Sequence, residues 1–531
     1  MGQALRHIIF DGARSDHDRA ADLLRFTRDC TPHSLTPQNL AQIFLNLGNL
    51  AENDPGVDAF LASDTARKEV TRLVAIGRRK IDAFEPRNLA ETLRGLAFIG
   101  RGDETFAEAL FARSTGLIDE FSATDLVTVL GAARLLDFDK GNFLDGVNRV
   151  LAENFHESDF NNLELALGAL YLANLDQSET AAALGERALQ RLDTLETRHI
   201  GMLAAAFQKL PRLPIDYCFN LAGELLQRIK SEPEAIPARE AVEIIELLGR
   251  REARHDRFIA AFCAEYRSRL PDFSTEEIRE TARGLAILQE NNPVFFRELG
   301  EAALRRLDDL DAVDIAVIAW AHTSLGIRND GLFNRLAGAM NGRYSELSPG
   351  SAASLAWAYS LLGNPVGRSV VANAGRVLRA QDHEVFHARQ LHIAEVAVGL
   401  VPPGRCPDVI AEHARDEDRS GVLNGFESAV WEAIRRLDIK GLTAEPFQVV
   451  EGLRPDFVIS YGERRIVLEC DGARYHLNSS GEMRGNDKLQ DLVFQRCGYE
   501  VVHILDHNFI GLSLVERERY LLSQLKLGAI S

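Results

Sequence analysis

A repeating period constrains this chain more than any other feature. The stretches FEPRNLAETLRGLAFIG (residues 84–100), FSATDLVTVLGAARLLD (121–137), FSTEEIRETARGLAILQ (273–289), LDAVDIAVIAWAHTSLG (310–326) and LSPGSAASLAWAYSLLG (347–363) share one design. Each opens on an apolar residue, follows it with a helix-starting signal, and then spaces apolar and small residues as a helix does. One apolar position of the design falls at Leu40, Leu89, Leu126, Leu165, Ile200, Ala241, Ile278, Ile315, Ala352 and Leu391, with gaps of 49, 37, 39, 35, 41, 37, 37, 37 and 39 residues. Thr36-Pro37 and Ser348-Pro349 set a capping hydroxyl before a proline at the first helical position. Ser274 and Glu277 have the spacing of a capping box, and Phe121 and Phe273 stand where a hydrophobic staple lies. A second amphipathic segment such as ELGEAALRRLDDL (298–310) completes each unit.

Such a helix pair cannot bury its apolar face alone, so neighbouring pairs must cover one another. The expectation is a mainly α chain. An α-solenoid of about ten helix-pair repeats, period about 37, runs over residues 34–401 behind a lead helix in 1–33. Binding residues would then be polar positions on the first helices, of which Arg87, Asn88, Asp125, Arg198, His199, Arg239 and Glu277 are examples.

The pattern changes after Val401-Pro402-Pro403-Gly404. A charged linker (402–420) leads into residues 421–531, where helical and strand periods mix. The expected elements are a helix at 426–437, strands at 447–450, 455–460 and 465–471 with a turn at 461–463, a helix at 487–497, a strand at 499–505 and a helix at 514–525. That order suits a small α/β domain around one sheet. The strand RIVLECD carries two acids into an apolar run. Asp456 begins the partner strand of the hairpin, and Asp471 shares the facing of Glu469. Three carboxylates, Asp456, Glu469 and Asp471, are thus expected at one end of the sheet, with helix residue Glu427 able to join them. An all-oxygen cluster of this kind suits Mg2+ or Mn2+, with Glu427, Asp456 and Glu469 as the expected ligands. Such an ion activates water and stabilises a phosphoryl transition state. A plainer reading stays open, in which these acids cap loop amides and His476 orients Asp471.

Composition narrows the class. The chain of 531 residues is 46% hydrophobic and carries a net charge of −18. Residues 420–531 hold 13 lysines and arginines against 16 acids, which leaves a net −15 on the rest. Neither part has the overall basicity of a nonspecific nucleic-acid binder, so RNA binding would need a local basic groove. Six scattered cysteines without a CxxC spacing exclude a zinc ribbon and a disulfide framework. The chain has no run of apolar residues long enough to cross a membrane. The start, MGQALRHIIFDGARSDHD, lacks the apolar core of a signal peptide and carries acids unlike a transit peptide. A bacterial cytoplasm or an organelle is the expected location.

Several resemblances follow from these residues. Units of this period resemble octotricopeptide repeats and the helical repeats of the FAST-kinase-domain family, which are RNA-binding arrays. Pro455-Asp456 with Glu469-x-Asp471 resembles the PD-(D/E)xK nuclease signature, although Asp471 stands where that signature has lysine. Lys488 on the next helix is a candidate substitute. GLRPDFVI, RRIVLECDG, His476 four residues after Gly472, and KLQDLVFQRCGYEVVHI resemble the RAP domain over residues 421–530. That resemblance implies an endonuclease-like fold, related to very-short-patch-repair endonucleases, which caps an RNA-binding helical array. It implies catalytic roles for Asp456, Glu469, Asp471, His476 and Lys488, and a phosphate contact for Arg496. Three functions remain in play. One is binding of single-stranded RNA in RNA processing, stability or translation. Another adds metal-dependent RNA cleavage. The third is a protein-binding scaffold, such as a bacterial effector, with a degenerate nuclease-like domain.

Overall fold

The computed structural model describes residues 14–99, 104–138, 141–153, 160–416, 423–472 and 483–527. His476 lies outside them, as do parts of the expected lead segment and linker. The protein is mainly helical, with a small four-stranded sheet near its C-terminus. It divides into two compact units, residues 1–228 and 229–531.

In the first unit, a helix at Asp16–Asp29 precedes five helices that carry the recurring apolar position: α1 (Pro37–Asn53), α2 (Pro86–Ile99), α3 (Ala123–Leu135), α4 (Asn162–Asn174) and α5 (Thr197–Lys209). The second unit contains five more: α6 (Ala238–Arg250), α7 (Thr275–Ile287), α8 (Ala312–Ser324), α9 (Pro349–Ser360) and α10 (Val385–Ala397). Within each unit every one of these helices packs on the next in chain order. Returning helices such as Glu104–Gly116, Ser178–Leu189 and Pro365–Arg379 form the second layer.

Local chemistry sets the ends of these helices. Thr36 accepts from Asn39 N with Pro37 at the first position, and Ser274 and Glu277 close a reciprocal capping box. Phe121 and Phe273 are buried just ahead of their caps. At the other end one motif recurs. Asp137, Asp176, Glu252, Gln289, Gly326 and Gly399 all take a left-handed conformation two residues past the helix. The next N–H in each case returns to a carbonyl five residues back: Phe138 to Ala133, Gln177 to Leu172, Ala253 to Leu248, Glu290 to Leu285, Ile327 to His322 and Leu400 to Glu395, at 2.8–2.9 Å. This is the Schellman closure, which satisfies carbonyls the helix leaves open.

Neighbouring helices approach until backbones touch. A Cβ on Gly95 of α2 would lie 2.2 Å from the Phe44 carbonyl of α1, and one on Gly284 of α7 would lie 2.8 Å from the Ile245 carbonyl of α6.

The C-terminal elements are α11 (Gly425–Arg436), β1 (Leu442–Pro446), β2 (Phe457–Tyr461), β3 (Arg464–Asp471), α12 (Gly485–Arg496), β4 (Glu500–Leu505) and α13 (Leu514–Gln524), with a short turn of helix at Asp506–Phe509. The sheet order is β1-β2-β3-β4, with two antiparallel pairings and then a parallel one. The first strand is at 442–446 rather than 447–450, because Phe447 adopts a positive φ of 58° and ends the extended run. One sheet face, through Phe457, Ile459, Ile466, Leu468, Cys470 and Ile504, packs on Val430, Ala433 and Ile434 of α11 and Leu521, Leu522 and Leu525. On the other side α12 packs against β4 and also against α8 and α10. Its N-terminal Gly485 is pressed so close that a Cβ there would lie 1.8 Å from the Thr323 carbonyl.

Replacing Gly95 or Gly284 by alanine should therefore destabilise the protein by about 1–3 kcal/mol in urea unfolding, the usual cost of overpacking. Gly223→Ala is the control, since nothing stands within 4 Å of a Cβ there. It should be neutral or slightly stabilising.

Candidate acidic site and nucleic-acid interface

The hairpin register explains how the acids meet. Phe457 pairs with Leu468, so one step further Asp456 stands across from Glu469. On the parallel side Glu469 pairs with His503. Asp456, Glu469 and His503 thus form one row on the face toward α12, and Asp471 follows on the same face. The Asp456 N–H donates to Glu469 Oε2 at 3.2 Å, and Asp456 Oδ2 accepts from Cys470 N at 2.6 Å. Asp471 is buried, and its Oδ2 lies 2.6 Å from His503 Nδ1. His503 Nε2 reaches Asp491 of α12 at 3.1 Å. The imidazole is therefore a bridge between a strand carboxylate and a helix carboxylate.

The electrostatics follow from this packing. Burial, then the Asp456 charge, pushes the Glu469 carboxyl well above the ordinary carboxylate range; the Asp456 amide pulls the other way and Asp471 adds to the rise. Burial disfavours the charged form of His503, but hydrogen bonds to Asp471 and Asp491 outweigh it and lift the ring to about 10. Cys470 points to the opposite face. Its thiol is driven far up by burial and by the charges of Asp456 and Glu427.

The other expected residues fall elsewhere. Glu427 lies in the first turn of α11, which covers the Cys470 face, and closes a capping box with Asn424. The Lys488 ammonium is directed at α8, where a Cβ on Gly326 would stand 2.6 Å from Nζ. Arg496 lies against Gly399 past the end of α10, with Nη1 3.0 Å from the corresponding Cβ position. Both cations so meet the carbonyl ends of array helices. His503 and Asp491 were absent from the expected set. No local pattern marks either residue: His503 stands between Val502 and Ile504 inside a predicted strand, and its pairing with Glu469 depends on the crossover through α12.

In the first unit a second constellation stands on consecutive helices. Tyr171 of α4 is half-buried. Its phenol is raised by burial, lowered by the charges of Arg134 of α3 and Arg94 of α2, and raised again by Glu52 of α1. Arg94 and Arg134 are exposed. Arg94 also lies 5.9 Å from the centre of the Phe98 ring and 3.7 Å from a Glu52 oxygen. Gly131 makes room for the tyrosine, since a Cβ there would lie 3.0 Å from its ring. By contrast, several polar positions read from the sequence serve the helix starts. Arg87 pairs with Glu91 at 2.9 Å, Asp125 accepts from Ser122, His199 accepts from Glu196 N, and Glu277 caps Ser274.

The lifted pKa of His503 has a measurable sign. Its stabilising contribution is full below the unfolded value of about 6.5 and is lost as pH rises toward about 10. Urea midpoints of wild type should fall between pH 7 and 10, and His503→Gln should flatten that fall. Glu469 has the opposite consequence. An acid whose pKa is raised costs stability once ionised, so Glu469→Gln should raise the midpoint at pH 8.

Comparison with known proteins adds one family. The profile of RESC8, the RNA-editing substrate-binding complex 8 protein, matches residues 62–306. No curated protein matches the chain. Among solved structures the chain is similar to a homology model of the full-length AP-3 complex in an intermediate open conformation, at 11% identity over 75% of this chain and 86% of that one, with a TM-score of 0.26. A score that low carries no argument about fold or function.

Proposed function

We propose that this protein binds single-stranded RNA along its helical array and acts in RNA processing. The observation that carries the reading is the alignment of Arg94, Phe98, Arg134 and Tyr171 on α2, α3 and α4. Guanidinium groups neutralise phosphates, while aromatic faces stack on bases that have left a helix. The matched segment, 62–306, contains all four residues, and the family it matches is described as part of an RNA-editing substrate-binding complex. On this reading the helix pairs of each unit stack as an α-solenoid. The C-terminal sheet region is a RAP-type domain that adds contacts to the bound RNA.

A second activity is favoured by one feature. Glu469, with its carboxyl raised beside Asp456, is the perturbed acid pair that metal-dependent cleavage would use. The donor chemistry fits a hard divalent cation, because Asp456 and Glu469 offer only oxygens and repel each other without one. Mg2+ or Mn2+ bound there would supply an activated water and charge neutralisation at a phosphate. Asp471, held by His503, would orient that site.

Fluorescence anisotropy with a labelled single-stranded RNA tests the binding reading. Affinity should fall as salt rises. Tyr171→Ala and the Arg94→Ala/Arg134→Ala pair should each weaken binding about tenfold, in line with the ~1–3 kcal/mol of a base-stacking contact, whereas Arg87→Ala should not. No RNA binding at low salt would overturn the reading in favour of a protein partner. For the second activity, Glu469→Gln should abolish manganese-dependent cleavage and leave RNA binding intact. Equal cleavage by both proteins would remove Glu469 from the chemistry.

A further inference from the structure

A cluster of different chemistry joins the last array helix to the C-terminal region. His392 stands on α10, Cys406 in the loop that follows, and Glu451 in the tight turn between Val450 and Leu453. One ligand atom from each lies within 4.8 Å of the others. His392 Nε2 is 2.8 Å from Glu451 Oε2, and the Gly404 amide donates to Glu451 Oε1. His392 and Glu451 are only 5% and 7% exposed, while Cys406 is half-buried.

The turn that presents the carboxylate is locked from behind. Glu451 and Gly452 both take a positive φ, 52° and 78°. The Gly452 carbonyl accepts from Arg389 Nε at 2.6 Å, and a Cβ on Gly452 would stand 2.9 Å from Ile410. A buried glutamate in the left-handed region is uncommon and needs its surroundings to hold it there.

We propose that His392, Cys406 and Glu451 form a site for a zinc-class divalent cation, with water in the fourth position. An imidazole nitrogen, a thiolate and a carboxylate oxygen are the donors that zinc accepts in tetrahedral sites, and a thiolate disfavours magnesium. Metal–ligand bonds of about 2.0–2.3 Å set tetrahedral donors about 3.3–3.6 Å apart. The three groups therefore need to move by about 1 Å at most, and His392 and Glu451 part slightly from their hydrogen bond. Binding releases the Cys406 proton to solvent. The thiolate and the carboxylate then balance the two positive charges. Without an ion, burial and then the Glu451 and Asp408 charges push the Cys406 thiol up to about 11, against the opposing pull of Arg389 and Arg415, so the ion itself has to displace the proton. The Gly404 amide holds the carboxylate in the role that outer hydrogen bonds play at metal sites. The bound ion would pin α10, the 404–406 loop and the 450–453 turn together. This site is independent of the RNA-binding reading.

The test uses the full chain without an affinity tag, stripped by chelator and titrated with cobalt(II). Wild type should develop a thiolate-to-cobalt charge-transfer band that saturates at one cobalt per chain. Cys406→Ser should lose the band, and zinc should raise the Tm of wild type but not of Cys406→Ser. Glu451→Gln keeps the shape and the hydrogen bonds of the turn, and it should weaken zinc binding at least tenfold. The proposal is overturned if wild type gives no band at one equivalent. It is equally overturned if the band survives in Cys406→Ser, because the thiolate would then be one of the other cysteines.

Discussion

The structure depends on how closely successive array helices can approach. Their contact is backbone on backbone at Gly95 against Phe44 and at Gly284 against Ile245, so the spacing is set by the absence of a Cβ rather than by side-chain size. Close approach leaves little room for large residues between the helices, which is why alanine recurs at their buried positions, as at Ala316, Ala319, Ala353 and Ala356. It also brings side chains at equivalent levels of neighbouring helices within reach of each other's charge. Arg94, Arg134 and Tyr171 influence one another only because α2, α3 and α4 lie side by side at this distance.

Much of the array was legible because its signals are short-range. The capping residues Thr36, Ser274 and Ser348 act within four positions, and the apolar period follows from helix geometry alone. The helix ends were not legible. Asp137, Glu252, Gln289 and Gly326 fill one structural position with unrelated side chains, since the demand there is on backbone conformation and on the carbonyl the next amide reaches. In the C-terminal region the hairpin pairing of Asp456 with Glu469 was legible from the turn between them. His503 was not, because a parallel neighbour is set by a crossover through α12, and no local count fixes that register. The roles of Lys488 and Arg496 were hidden for the same kind of reason. Their contacts, Gly326 and Gly399, lie roughly a hundred residues or more earlier in the chain.

Net charge was a poor guide to the surface for a reason visible in the helices. Acids gather in first turns, as with Asp125, Glu164, Glu240, Glu277 and Asp314, where they meet the positive end of the helix dipole. Lysine or arginine stands in the last turn of three of the ten array helices, at Arg134, Lys209 and Arg250. Because a returning segment intervenes between them, consecutive first helices within a unit run in the same direction. Within a unit the first-turn acids then share one edge. Part of the acidic total is therefore committed to helix starts, while Arg94 and Arg134 remain exposed.

The helix α12 couples the two chemistries of the second unit. Its Gly485, Lys488 and Arg496 are committed to the ends of α8 and α10, and this docking fixes where Asp491 stands. Asp491 in turn holds His503, which holds Asp471 beside Glu469. An imidazolium therefore stands in the acidic row, while the Lys488 ammonium is directed at the end of α8. A lysine there would keep its charge through neutral pH unless burial lowered its pKa, whereas the proton of His503 is held by its hydrogen bonds to Asp471 and Asp491. Any movement of α12 away from the sheet would remove Asp491 and lower the affinity of His503 for its proton. The charge of the acidic row is thus set by the docking of α12 on the array as much as by its own residues.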